Sequence, residues 1–128
     1  MKKKLTIGDL EQVGTCDLAT RGRSVKRWPV LLIVGLWGLT PHLPYGKIKP
    51  DLEYEWLTIT HLPTGFRAGD MRVDDSRKRQ KLAKYAQMFG GARTVDGVQR
   101  KYRKLSKRQK SWIKRQAAWL LPSKEVRG

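Results

Sequence analysis

The sequence predicts an α+β fold: a small three-stranded antiparallel sheet packed by an amphipathic helix in the order β-β-β-α, followed by two basic C-terminal helices. Three observations carry this expectation. Residues 53–62 form an aromatic and β-branched run that stops at Pro63-Thr64-Gly65 and restarts at Phe66, as when two antiparallel strands meet at a short glycine-containing loop. Leu82, Tyr85, Ala86 and Phe89 recur at i, i+3, i+4 and i+7, which is one apolar helical face. Beyond them, apolar residues at helical spacing are surrounded by lysine and arginine. A chain of 128 residues builds one core but seldom two. The expected organisation is a basic, partly ordered arm over 1–24, a β-β-β-α core domain over 25–91 and a basic helical extension over 92–128.

Within the arm, Leu10 and Val13 are three apart and permit a short helix around 8–13, while Gly14 and Gly22 oppose anything longer. Residues 25–37 read as a first strand apolar on both faces. Trp28, Val30, Leu32, Val34 and Leu36 point one way, and Leu31, Ile33 and Trp37 the other, as in a strand covered on two sides. Residues 38–50 hold Pro41, Pro44, Pro50 and Gly46 and read as a long connecting loop. The second strand places Leu57, Ile59 and His61 on the face suited to a helix and Tyr54, Trp56, Thr58 and Thr60 on the other. That second face can stack unpaired bases, but the doubly apolar first strand favours Tyr54 and Trp56 closing a second small core.

Residues 66–72 read as a short edge strand interrupted by Gly69 and Asp70. Asp74 and Asp75 are expected to open the first helix, with carboxylates at its positive end, and Gly90-Gly91 to close it. Val98, Tyr102 and Leu105 define the second helix. Ser106 with Gln109 is a capping-box pattern that starts the third, striped by Trp112, Ile113, Gln116, Trp119 and Leu120 and stopped at Pro122.

The charge points to a polyanionic partner. There are 28 basic against 11 acidic residues, a net +17, far beyond what solubility requires. From Gly65 onward the count is 19 basic to 5 acidic, and between Arg100 and Arg115 nine basic residues occur with no acidic one. Such a segment repels itself unless a counter-charge is supplied, which favours phosphate contact. The candidate nucleic-acid-binding residues are Arg77, Lys78, Lys81 and Lys84 on the first helix. Arg100, Lys101, Arg103 and Lys104 follow on the second, and Lys107, Arg108, Lys110, Lys114 and Arg115 on the third. The arm at Lys2 to Lys4 is a further candidate for phosphate contact. Lysine and arginine at phosphates position a protein without reading sequence. Trp56, Trp112 and Trp119 are candidate stacking residues or partner anchors. The expected function is therefore a nucleic-acid-binding protein, DNA or RNA, acting as a regulatory or accessory factor. The alternative is a small inhibitor or accessory protein, of the kind mobile elements encode, docking on an acidic surface of a host enzyme or nucleoprotein complex.

Two short stretches resemble known families. Ile59-Thr60-His61-Leu62-Pro63-Thr64-Gly65 resembles the strand and turn that follow the catalytic loop in class I peptide-chain release factors. Those factors hydrolyse peptidyl-tRNA with a Gly-Gly-Gln motif. The only counterpart here is Gly90-Gly91-Ala92 at another position, so the resemblance implies shared turn chemistry alone. Leu105-Ser106-Lys107-Arg108-Gln109 resembles the start of the first helix in sigma-type helix-turn-helix domains. A reading helix should follow, but the chain runs into Leu121-Pro122-Ser123.

Catalysis is not expected. No Ser-His-Asp or Cys-His set and no phosphate-cradling glycine loop is present; Asp70, Asp74 and Asp75 form an acidic cluster, and capping explains the last two. Cys16 is the single cysteine, so there is no intramolecular disulfide framework and no thiol-based zinc site of the usual four-ligand kind, which suggests a reducing, intracellular and cytoplasmic setting. His42 and His61 lack ligand-spaced partners and read as ordinary hydrogen-bonded or exposed histidines. No cofactor or metal is expected. Lys2 to Lys4 are not followed by an apolar signal region, and the longest apolar run, residues 29–39, spans about half of a roughly 30 Å hydrocarbon core as a helix. No membrane partner is expected.

Overall fold

The computed structural model describes residues 6–7, 10–20, 23–41 and 56–116. The class is α+β, but the strands are more numerous than the sequence suggests. They are β1 (Thr6–Ile7), β2 (Leu10–Glu11), β3 (Gly14–Thr20), β4 (Arg23–Val30), β5 (Leu32–Val34), β6 (Trp37–Pro41), β7 (Trp56–His61) and β8 (Phe66–Arg72). The helices α1 (Lys78–Phe89), α2 (Val95–Arg103) and α3 (Lys107–Arg115) follow. All pairing is antiparallel: β1 with β2, β3 with β4, and a four-stranded meander β5-β6-β7-β8.

The expected first strand over 25–37 is two arms of different hairpins. At Leu31 the chain leaves β3 and begins pairing with β6, the Leu31 N–H donating to the Leu39 carbonyl at 2.8 Å. It then reverses at Gly35-Leu36, where Val34 faces Trp37 across a two-residue loop. Gly35 has φ +62°, the conformation glycine supplies at the first position of such a loop. Both arms are rich in apolar residues, so no polar break marked the reversal. Residues 38–41, expected in a loop, complete β6; residues 42–50, with His42, lie outside the described residues. The helix allowed around 8–13 is also absent, since Leu10–Glu11 is strand.

Much of the expected arm is strand as well. In β3 and β4, Asp17 faces both Lys26 and Arg27 at a shift in register, and Arg27 takes φ +56°, unusual for a side chain with Cβ. Asp17 holds this bulge: its Oδ1 accepts from the Arg27 N–H at 3.2 Å and its Oδ2 from Lys26 Nζ at 3.3 Å. The Arg27 backbone bond, then the Lys26 bond, keep the Asp17 carboxyl below the usual carboxylate range. Leu18, Val25 and Trp28 form a small satellite cluster, tied to the main sheet where Trp28 Nε1 donates to the Pro41 carbonyl at 2.8 Å.

The β7–β8 hairpin turns where the sequence places it. His61 faces Phe66 across residues 62–65, and the Gly65 N–H donates to the His61 carbonyl at 2.7 Å with Gly65 at φ +73°. A register shift leaves Ala68 as an extra residue in β8. Its carbonyl accepts from Tyr85 Oη at 2.9 Å, which anchors α1 to the bulge. The outer edge of β8 is covered by the end of α3: the Asp70 N–H donates to the Gln116 carbonyl at 2.6 Å. Gly69 makes that approach possible, because a Cβ there would sit 2.7 Å from the same oxygen.

Leu57 and Ile59 face the helices as expected and are fully buried with Trp37, Leu39, Ala68 and Met71. Leu82, Tyr85 and Phe89 from α1 cover them, and Val98, Tyr102 and Ile113 bring α2 and α3 into the same cluster. Trp37 is its aromatic centre, 4.9 Å from His61, 5.1 Å from Tyr85 and 5.4 Å from Phe89 between ring centroids. The other face of β7 is different. Thr58 and Thr60 are buried, Thr60 Oγ1 lying 3.0 Å from Thr40 Oγ1, but Trp56 is 45% exposed. The expectation that Trp56 closes a second core is thus corrected, because Leu18, Val25 and Trp28 fill that role instead. Tyr54 lies outside the described residues.

Candidate functional site

Cationic side chains gather on the exposed sides of the three helices, because each helix spends its apolar stripe on the core. The start of α1 is set by Asp75, which lies before the helix and not in its first turn: Oδ1 accepts from the Arg77 N–H at 2.7 Å and Oδ2 from Lys81 Nζ at 2.5 Å. Burial alone would raise the Asp75 carboxyl, but the bonds from Lys81 and Arg77 outweigh it and hold it below the usual range. Asp74 instead accepts from Arg72 Nε at 3.3 Å. Asp75 therefore acts one step earlier than the helix, fixing how the chain enters it, and the expectation that Asp74 and Asp75 sit at its positive end is corrected: the first turn of α1 holds no acidic residue, and Asp74 turns back to β8.

One turn beyond Lys81, Lys84 extends over Trp112 of α3, its Nζ 4.6 Å from the ring centroid, a cation–π contact. Trp112 is half-buried and packs against Tyr85 at 5.5 Å. Arg77, Gln80, Lys81 and Lys84 join Trp112 around a cleft of about 410 Å³. It combines an aromatic wall with three cations and one amide.

The α1–α2 link builds a second cleft. Thr94 caps α2, its Oγ1 accepting from the Gly97 N–H at 3.0 Å. The cleft beside it, about 470 Å³, has Arg93, Arg100, Lys101 and Lys104 in its wall. Among the described residues, no carboxylate lines either cleft. The loop is held from inside by His61, which is buried: Nε2 lies 2.7 Å from the Ala92 carbonyl and Nδ1 2.9 Å from Thr64 Oγ1. A carbonyl can only accept, so Nε2 carries the proton and the Thr64 hydroxyl donates to Nδ1. Burial pushes the His61 pKa down, with the Ala92 bond opposing it.

On α3 the capping box is formed as its sequence suggests, Ser106 Oγ accepting from the Gln109 N–H at 3.1 Å and Gln109 Oε1 from the Ser106 N–H at 2.9 Å. Lys107, Arg108, Lys114 and Arg115 are exposed, and Lys110 Nζ lies 5.6 Å from the Tyr102 ring centroid. Ion pairs between described residues include Lys26–Asp17, Arg67–Asp70, Arg72–Asp74 and Lys81–Asp75, and none of these four involves a lysine or arginine of α2 or α3.

The candidate residues therefore divide. Arg77, Lys81, Lys84 and Trp112 meet in one cleft, and Arg100, Lys101 and Lys104 in the other. Arg103 and the exposed α3 cations line neither, and Lys78 is half-buried. Trp56 stands apart on β7, with the Arg72 guanidinium 5.5 Å from its ring centroid. Trp119, Leu120, Pro122 and the Lys2–Lys4 arm lie outside the described residues. Arg93 and Gln80 were missed. Arg93 falls in a presumed linker, yet it precedes Arg100, Lys101 and Lys104 by 7, 8 and 11 positions, the spacing of one helical face.

Among the described residues, no group of three or more His, Cys, Asp or Glu side chains is placed to hold a metal ion, and no helix is long and apolar enough to cross a membrane. The chain matches no protein-family profile, no curated protein sequence and no solved structure.

Proposed function

We propose that the protein binds nucleic acid inside the cell, as a regulatory or accessory factor, by laying the basic sides of α1, α2 and α3 against phosphates. The observation that carries this reading is the pair of concave clefts walled by lysine and arginine with no carboxylate in either lining among the described residues. Cations held close together are costly to the fold and favourable to a polyanion, whose bound counterions they release; of these cations, Lys81 is already paired, with Asp75. Trp112, with Lys84 beside it, adds an aromatic surface on which an unpaired base can stack.

The test is the salt dependence of binding to an oligonucleotide. Reversing Arg100, Lys101, Arg103 and Lys104 to glutamate should weaken binding strongly and flatten the slope of log affinity against log salt, by about 3 to 4 for a duplex if all four meet phosphates. Binding insensitive to salt, or unchanged in that variant, would refute the reading.

A second reading is favoured by one separate observation. Trp56 is exposed with Arg72 stacked near it, and tryptophan with arginine is a common anchor pair at protein interfaces. On this reading the protein docks on an acidic surface of a host enzyme or nucleoprotein complex as an inhibitor or accessory subunit. Recovery of a partner that survives nuclease treatment and is lost on Trp56→Ala would support it; loss of every partner on nuclease treatment would exclude it.

A further inference from the structure

We propose that the cleft between the end of α1 and the start of α2 is a built phosphate site, with Arg93 and Arg100 as its principal anion-holding residues. The inference rests on the nucleic-acid reading and deepens it, by separating one concave site from the general basic surface.

Four cations of the described residues line the cleft: Arg93 from the link, Arg100 and Lys101 from α2, and Lys104 from the cap that ends it. The carboxylate nearest in sequence, Asp96, does not line it. Its remaining wall is small. Gly91, Ala92 and Gly97 contribute nothing larger than a methyl group, Thr94 adds a hydroxyl already held by the Gly97 N–H, and at Gly91 the space a Cβ would enter is empty to 4 Å. An anion can therefore approach the backbone there while the longer side chains close around it.

The wall is also fixed. The Ala92 N–H donates to the Phe89 carbonyl at 3.2 Å, and its carbonyl is taken by His61. Lys101 Nζ lies 3.5 Å from where a Cβ on Gly90 would be, beside the C-terminal end of α1, whose partial negative charge holds an ammonium in place. Lys101 thus has a structural role as well, which leaves Arg93 and Arg100 as the cleaner probes. The first turn of α2 adds its positive end, but the four side chains supply the charge. A phosphodiester carries one negative charge and a terminal phosphate about 1.5 to 2, so the cleft can neutralise either.

The full-length chain, labelled with nitrogen-15, would be titrated with inorganic phosphate at constant ionic strength. Saturable shifts of the Gly91, Ala92 and Gly97 amides are expected, lost in Arg93→Gln/Arg100→Gln and kept in the charge-matched Arg108→Gln/Lys114→Gln on α3. Shifts that never saturate, or that both double variants alter alike, would overturn the proposal. Thermal melting of the variants checks that each is folded.

Oligonucleotides with and without a 5′-phosphate then identify the source. A severalfold preference for the phosphorylated strand that disappears in Arg93→Gln/Arg100→Gln assigns the cleft to terminal phosphates. Equal binding of both strands assigns it to internal ones, provided the cleft variant loses more affinity than the α3 variant and its salt slope falls by about 1.4 on a single strand. Equal losses in the two variants would sink the site. Saturable phosphate binding without oligonucleotide binding would keep the cleft and overturn the nucleic-acid reading instead.

Discussion

Replacing Gly65 with alanine should be among the most damaging single-methyl changes available to this chain. The added Cβ would lie 2.1 Å from the Asp17 carbonyl oxygen, 2.7 Å from the Ala19 nitrogen and 2.9 Å from the Leu18 Cα. These are backbone atoms of β3, so no side-chain rotation relieves the overlap. Gly65 also has φ +73°, a conformation that costs a residue with Cβ about 1–2 kcal/mol. If β3 withdraws to make room, the hydrogen bond from the Ala19 N–H to the Gly65 carbonyl, 3.0 Å long, is lost for about a further 1 kcal/mol. The sum is about 2–3 kcal/mol before any loosening of Leu18, and roughly 10 °C in melting temperature for a domain of this size. Thermal and urea unfolding followed by circular dichroism would measure it. Gly14→Ala is the control, since nothing lies within 4 Å of its Cβ position in the same strand. If Gly65→Ala came within about 0.5 kcal/mol of the parent, the ordinary scatter of surface substitutions, the docking of β3 on this turn would be wrong.

Four further outcomes follow from the geometry. His61 has its pKa depressed on folding, so the unfolded chain binds its proton first; stability should be fully present above the ordinary value of about 6.5 and fall as pH drops below it toward the depressed value, a dependence that urea titrations should find reduced in His61→Gln. Cys16 is pushed up to about 11 by burial and then by Asp17, so alkylation by iodoacetamide at neutral pH should run about a hundredfold slower than for an unperturbed thiol; a rate equal to that of free cysteine would contradict the packing of β3 on β4. Tyr85→Phe removes the bond to the Ala68 carbonyl and should cost about 1 kcal/mol in denaturant unfolding. Ser106→Ala removes one half of the capping box and should destabilise by about 1 kcal/mol, with earlier loss of α3 amide protection in hydrogen exchange.

The sequence was most legible where one element met water on one side. The stripe Leu82, Tyr85 and Phe89, the turn at Pro63-Thr64-Gly65, the burial of Leu57 and Ile59 and the Ser106–Gln109 cap all follow from local pattern, because each contrasts apolar with polar neighbours. It was least legible from Val25 to Trp37. There two hairpin arms both enter the core, so residue polarity carries no record of the reversal, and only Gly35 marks it. The strands before Val25 were hidden for another reason. Gly14, Arg21, Gly22 and Arg23 make the stretch before Val25 look like solvated tail, yet Asp17 there secures a bulge with Lys26 Nζ and the Arg27 N–H that no single-strand pattern encodes. At the candidate site the cations were readable as a population, but their division into two clefts was not. That division depends on where α1 ends, on the small residues Gly91 and Gly97, and on an arginine placed in what looked like a connector.

Gly65 and Gly69 lie four residues apart on one hairpin, and each receives a different end of the described chain: β3 closes on Gly65 and the last turn of α3 on Gly69. Neither dock exists until β7 and β8 have paired, so the order of assembly is constrained. The hairpin is therefore expected to form before the N-terminal strands or the C-terminal helix dock, since both arrivals close long loops. Mutations inside the hairpin should therefore slow folding, whereas those at the two docks should chiefly hasten unfolding.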